Sequence, residues 1–126
     1  MYSLMIDIVK ERIYIELSGN LTLEEIERYV DDLYKLTRKF EPQTYSMLIM
    51  TNRLDPLSQN NLPHFQKAVE LALIWAGDIA VVNGNRTITL FQMKKIEAEA
   101  RKITKSDTKI MRFKTRNDAL KYLNRV

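Results

Sequence analysis

Cysteine is absent from the sequence, and glycine is scarce. Without cysteine the chain cannot form disulfides, thiolate metal sites or a cysteine nucleophile, and it suits a reducing compartment. The three glycines stand at positions 19, 77 and 84, too far apart for a Walker loop or a dinucleotide-binding fingerprint. We therefore expect no cofactor.

Groups for acid–base or metal chemistry are equally few. His64 is the single histidine, and no glycine-flanked nucleophile elbow accompanies it or Ser58. Glu27 and Asp31 lie four residues apart on one side of a predicted helix, but no second group of ligands follows, so the pattern is typical of a solvated face. The sequence predicts no catalytic residues and no metal site, and therefore a protein that is not an enzyme.

Long apolar runs are also missing. No stretch is apolar over the length that a bilayer requires. The N-terminal residues have no basic head, since Asp7 is the first charged side chain, and they do not resemble a secretory signal. We expect a cytoplasmic protein.

The composition is that of a globular protein with an uneven charge. The 126 residues are 45% apolar and 29% charged, which predicts one domain over residues 1–126. Residues 1–85 carry 8 Lys/Arg and 12 Asp/Glu, whereas residues 86–126 carry 12 and 4. A basic half can bind nucleic acid, anionic lipid or an acidic protein. Because the charges are scattered and lack interleaved aromatics, we interpret them as solvated helix faces, and nucleic acid is the least favoured partner.

Hydrophobic periodicity divides the chain into nine elements. The predicted strands are residues 3–9, 12–18, 47–50, 78–82 and 109–113. The predicted helices, caps included, are about residues 22–40, 60–76, 87–103 and 115–123. Short connections between alternating strands and helices favour parallel pairing. We predict an α/β fold, a single-domain sandwich of about five mostly parallel strands, with an N-terminal antiparallel hairpin and about four helices.

Local signals indicate where several elements begin and end. Thr22 and Glu25 have the spacing of a capping box, and Thr115 is placed to cap the last helix. Gly77 is predicted to stop the second helix. The central strand turns polar at Thr51, which predicts that its loop begins there.

Polar residues follow two neighbouring predicted strands. Because the carboxyl ends of parallel strands open at one edge of a sheet, we expect the two loops to meet there. Hydroxyls, amides and a helix N-terminus could bind an anion or accept a phosphate; alternatively, these are simply the residues from which turns are made. The candidate phosphoacceptor or partner-binding residues are Ser58, Thr51, Asn52, Asp55, Asn83, Gly84 and Asn85.

Four stretches of the chain carry a family resemblance that spans nearly its full length. They are LSGNLT at 17–22, the central strand at 47–50 with its loop, IAVVN at 79–83 and FKTRNDALKYL at 113–123. They are similar to the STAS domains, the fold of the anti-sigma-factor antagonists, and especially to the SpoIIAA-like branch. In such antagonists a partner kinase phosphorylates a serine at the start of the helix after the central strand, which switches binding off. Ser58 stands at about that position, although the family's Asp-Ser-Ser-Gly signature is replaced here by PLSQ at 56–59.

The sequence thus leaves two main functions open. The resemblance implies a non-enzymatic regulatory module that binds a protein partner through the sheet edge around Ser58 and is regulated by its phosphorylation. The alternative is a domain that binds a small anionic or lipid-like ligand between the sheet and the helices, with Trp75 as a candidate lining residue.

Overall fold

A single mixed sheet organises the protein. The computed structural model describes residues 1–125, and its strands are β1 (Tyr2–Asp7), β2 (Arg12–Gly19), β3 (Tyr45–Leu54), β4 (Ala76–Val82) and β5 (Ile110–Phe113). The strands lie side by side in the order β1-β2-β3-β4-β5. β1 is antiparallel to β2, and the remaining neighbours are parallel. The predicted α/β fold with an N-terminal antiparallel hairpin is confirmed.

The helices cover the two faces of the sheet unequally. They are α1 (Leu23–Thr37), α2 (Leu62–Trp75), α3 (Thr87–Thr104) and α4 (Arg116–Leu123), with a 3-10 turn at Gln59–Asn61 before α2. α1, α2 and α3 share one large apolar core with one face of the sheet. The short helix α4 covers Leu48, Ala80 and Val82 on the opposite face. The central strands are therefore buried on both sides, which is why their sequences are nearly continuously apolar.

Strand β3 is longer than the sequence predicted. β2 pairs with it as far as Gly19, which lies opposite Leu54. Thr51 and Asn52 therefore belong to the strand, and the prediction that the loop begins at Thr51 is wrong. The extra hydrogen bonds from β2 hold these polar residues in extended conformation.

Gly77 does not end α2, as was predicted. α2 stops at Trp75, and β4 begins at once with Ala76, so Gly77 lies inside a strand. A Cβ atom at Gly77 would lie 2.6 Å from the backbone oxygen of Gln43. Glycine is required there because two chain segments approach closely, and the Gln43 N–H donates to the Trp75 carbonyl at 2.7 Å.

The predicted caps of α1 and α4 are confirmed. Thr22 accepts a hydrogen bond from the Glu25 N–H at 3.2 Å, and the Glu25 carboxylate accepts from the Thr22 N–H at 3.3 Å. Thr115 accepts from the Asp118 N–H at 3.1 Å. α1 ends at Thr37, three residues before the predicted end, and Arg38 is its C-cap residue.

The capping box gives a direct test of local stability. Thr22→Ala removes the oxygen that satisfies the Glu25 N–H, so we expect the free energy of unfolding to fall by about 1 kcal/mol. Urea denaturation followed by circular dichroism measures this change. Thr22→Ser keeps the oxygen and serves as the control; an alanine variant as stable as the serine variant would contradict the capping role.

Candidate functional site

The loops after β3 and β4 meet at one edge of the sheet, as expected for parallel neighbours. A Cβ atom at Gly84 would lie 2.5 Å from the backbone oxygen of Asn52, so the two segments touch through their backbones. Farther out, Arg86 forms an ion pair with Asp55. The candidate residues thus lie in neighbouring segments, with Gly84 needed at the point of closest approach.

Thr51 and Asn52 lie beneath the surface of this edge. Thr51 is buried, and its hydroxyl donates to the carbonyl of Val82 in the adjacent strand at 3.1 Å. Asn52 is half-buried and lies under Gly84. These two residues position the loops. Thr51 does so through its hydroxyl, which bonds Val82, and Asn52 through its backbone oxygen, which lies against Gly84.

The Ser58 loop, residues 55–58, is fixed to α3 by one side chain. The Gln92 amide accepts from the Leu57 N–H at 2.9 Å and donates to the Leu57 carbonyl at 2.8 Å. Both residues are buried. The Thr89 hydroxyl donates to the Leu54 carbonyl at 3.3 Å, one turn earlier on α3. A backbone segment whose polar groups are satisfied in this way is held in one conformation.

The loop is also fixed from the side of β2. The Asp55 N–H donates to the Gly19 carbonyl at 3.0 Å. Gly19 has a φ of +68°, a left-handed conformation that glycine adopts at little cost. The Ser58 loop is therefore held between β2 and α3 along most of its length.

Ser58 has an exposed side chain, unlike the buried Leu57 before it. It is exposed and precedes the 3-10 turn, yet within residues 1–125 its hydroxyl makes no capping hydrogen bond. The Asn61 side chain, at the start of α2, makes none either. The first N–H groups of this helical segment are left for solvent or for an anion.

Asn83 is oriented towards β5 rather than towards Ser58. Its side-chain oxygen accepts from Arg112 at 2.9 Å. Arg112 also forms an ion pair with Glu97 of α3, and the two side chains are only 19% and 18% exposed. Asn83 thus helps to hold the edge strand, while Asn85 remains exposed on the loop. The seven candidate residues divide into an exposed group and a supporting group.

A small cavity lies behind this ion pair, between the sheet and helices α2 and α3. Its volume is about 40 Å³, and apolar side chains such as Phe65, Ile79 and Met93 line most of it. Tyr29 also lines it, and burial raises the pKa of its phenol well above the ordinary value. Trp75 lies elsewhere, packed edge to face against Phe40 with ring centroids 6.4 Å apart.

Sequence reasoning missed the residues that brace the loop. Thr89 and Gln92 are polar residues on the buried face of α3, three apart, among Met93, Ile96 and other apolar side chains. The sequence signal for them was a pair of polar residues within an apolar stripe, because buried polar groups need hydrogen-bond partners. Their partners are main-chain groups of residues 54 and 57, which no side-chain pattern identifies.

Comparison with known proteins bears on the fold. No protein-family model matches the sequence, and no curated protein matches it. Among solved structures, an uncharacterized protein from the DUF3478 family with a SpoIIAA-like fold, from Shewanella loihica PV-4, is similar, with a TM-score of 0.71 and 17% sequence identity. The match covers 97% of this chain and 93% of that chain. The protein therefore has a SpoIIAA-like fold, as its resemblance to the STAS domains predicted.

The bracing by Gln92 can be tested through stability. Gln92→Met keeps the shape of the side chain but leaves two buried groups of Leu57 without partners. Each such group costs about 1–3 kcal/mol, so we expect the free energy of unfolding to fall by at least about 2 kcal/mol. Urea denaturation measures the change.

The matched control is Gln66→Met, because within residues 1–125 the Gln66 side chain bonds only the Glu70 carboxylate on its own helix. We expect this variant to change stability little. Equal losses in both variants would show that Gln92 does not hold the loop.

Proposed function

We propose that this protein is a non-enzymatic regulatory module that binds a protein partner through the sheet edge around Ser58. We further propose that phosphorylation of Ser58 weakens this binding. The observation that best supports this proposal is a contrast between two consecutive residues of one loop. Leu57 is buried and its backbone is bonded to Gln92, whereas the Ser58 hydroxyl is exposed and makes no capping hydrogen bond within residues 1–125. An accessible acceptor on a rigid support suits both modification and recognition.

Rigidity of the loop favours recognition. A partner that meets an already ordered segment does not have to order it, which lowers the entropic cost of binding. The hydrogen bonds from Asp55 to Gly19 and from Leu57 to Gln92 provide this order before any partner arrives.

A phosphate on Ser58 would change the charge of this surface strongly. It adds about two negative charges and three acceptor oxygens at the start of a helical segment. The open N–H groups of that segment favour the phosphate. Arg86 already pairs with Asp55, so the added charges make the surface more negative. A partner selected for the neutral serine would therefore bind the phosphorylated edge less well.

The proposed contact residues are Ser58, Asn85 and Asp55. Ser58 and Asn85 are exposed, and Asp55 is half-buried beside Arg86. Thr51, Asn52, Asn83 and Gly84 act as supports in this proposal.

The cavity near Arg112 supports a second candidate, a small-ligand-binding domain. Its apolar lining and the buried Tyr29 phenol resemble part of a ligand site. The volume of about 40 Å³ is far below the roughly 300 Å³ of a typical ligand pocket. Glu97 already neutralises Arg112, so an anionic head group would have to displace it. This function therefore ranks second.

Phosphomimetic substitution tests the leading proposal. The tagged wild type is purified from its own cells, its partner is identified by mass spectrometry, and phosphate at Ser58 is sought in the same sample. Titration calorimetry with the purified partner then compares the wild type, Ser58→Ala and Ser58→Asp. We expect Ser58→Ala to bind and Ser58→Asp to bind at least about tenfold more weakly, because charge beside a contact lowers affinity.

Ser3→Asp is the control, since Ser3 is an exposed serine on the outer strand β1, where it lies opposite Glu16. It should bind as the wild type does. Wild-type affinity in Ser58→Asp, together with an unmodified Ser58 in cells, would refute the phosphoswitch. A partner whose binding is indifferent to both Ser58→Asp and Asp55→Ala would refute the surface itself.

Thermal denaturation with candidate ligands separates the second function from the first. The probes are medium-chain fatty acids and phosphate monoesters, and a bound ligand raises the melting temperature as its concentration rises. We expect no shift. A concentration-dependent shift that Ala72→Leu abolishes, by filling the cavity from α2, would favour the ligand-binding domain instead.

A further inference from the structure

Helix α3 presents two large apolar side chains to solvent. Ile88 is 65% exposed and Phe91 is 70% exposed. They are three residues apart, so they are neighbours on the helix surface. The opposite side of α3 is buried through Met93, Ile96 and Ala100, so the exposed pair has no role in the core.

Lysines follow this pair along the same helix and beyond its end. All of them are exposed: Lys94, Lys95, Lys102, Lys105 and Lys109. The exposed acids of this region are Glu99, which pairs with Lys102 at 3.3 Å, and Asp107. The region is therefore positively charged, and an anionic surface complements it.

The shape of the outer face of α3 indicates which kind of binding partner it suits. Two of the larger concavities of residues 1–125 lie elsewhere, between α1 and α2 and beside β1. A peptide helix usually binds in an apolar groove, whereas the outer face of α3 is the convex surface of one helix. Apolar side chains that project from a convex, lysine-rich surface suit the boundary between the head groups and the acyl chains of a bilayer.

We propose that the outer face of α3 binds reversibly to the surface of an anionic lipid bilayer. Ile88 and Phe91 enter the boundary between head groups and acyl chains. Lys94 and Lys95, one turn along, pair with lipid phosphates and carboxylates while their alkyl stems lie along the apolar layer. No transmembrane segment is involved, since no helix within residues 1–125 has the length and apolarity to cross a bilayer.

This inference is independent of the proposed partner binding. The membrane contact uses the outer face of α3, whereas the partner surface uses Ser58, Asp55 and Asn85. Substitutions on one surface leave the other intact, so each proposal can fail alone.

Vesicle sedimentation tests the inference with the full chain. The vesicles are phosphatidylcholine alone, or phosphatidylcholine with one third phosphatidylserine. We expect binding to the mixed vesicles only, and a marked decrease when salt is raised, because screening shortens the reach of lysine charges. Phe91→Ser should lower the partition coefficient at least about tenfold. Lys94→Gln combined with Lys95→Gln should lower it by roughly fivefold for each lysine.

Matched variants on other surfaces control for general effects. Val9→Ser changes an apolar side chain that is 93% exposed at the β1–β2 hairpin tip. Lys39→Gln combined with Lys67→Gln removes the same charge from exposed positions away from α3. Both controls should bind the mixed vesicles as the wild type does, and thermal denaturation should show every variant folded, because all the changed side chains are exposed.

Four outcomes would overturn the proposal. The first is equal binding to both kinds of vesicle, or no binding to either. The second is binding to mixed vesicles that Phe91→Ser leaves unchanged. The third is tighter binding to duplex DNA with the same lysine dependence and no dependence on Phe91, which would indicate a nucleic-acid surface. The fourth is a lipid-free dimer, seen by light scattering, that Phe91→Ser converts to a monomer, which would indicate an interface between two copies.

Discussion

Pairing of β3 between two parallel neighbours is the constraint on which the other features depend. β2 pairs with it as far as Leu54 and β4 as far as Met50, and helices cover both of its faces. The chain can leave β3 only at the carboxyl edge, and there its main-chain groups must find new partners. Gly19 supplies a carbonyl from β2, and Thr89 and Gln92 supply side chains from α3. The Ser58 loop is ordered because these partners satisfy the main-chain groups of Asp55 and Leu57.

Much of the fold could be predicted because its signals are local. The capping box at Thr22, the cap at Thr115 and the apolar periods of strands and helices each depend on residues a few positions apart. The extension of β3 to Leu54 depends on pairing with Gly19, which is far away in sequence. Polar residues such as Thr51 have the local pattern of a loop, so the extension could not be predicted from them. Gly77 is a second example. A glycine near a helix end has the local pattern of a helix stop, but here glycine is required because a backbone oxygen that is distant in sequence lies too close for a Cβ atom.

The meeting of the two loops was predicted from the sequence, but the hydrogen bonding of their side chains was not. Turn residues after neighbouring strands indicate an edge, so Asp55, Ser58 and Asn85 could be placed near one another from the sequence. Which side chains are free depends on hydrogen bonds that cross the fold. The Asn83 side chain accepts a hydrogen bond from Arg112, whereas within residues 1–125 the Ser58 hydroxyl makes no capping hydrogen bond. A list of polar turn residues cannot separate these cases, because their chemistry is the same.

Helix α3 links the two proposed surfaces. Its inner side braces the Ser58 loop through Thr89 and Gln92, and the adjacent positions Ile88 and Phe91 lie on its outer side. Because consecutive helical residues are rotated by about 100°, neighbouring positions can lie on different sides of one rigid element. A bilayer contact at the first turns of α3 would fix the direction in which the Ser58 edge faces, since bracing leaves the loop little freedom. A partner bound at that edge would then be held at the membrane surface, and phosphorylation of Ser58 would release it without detaching the protein.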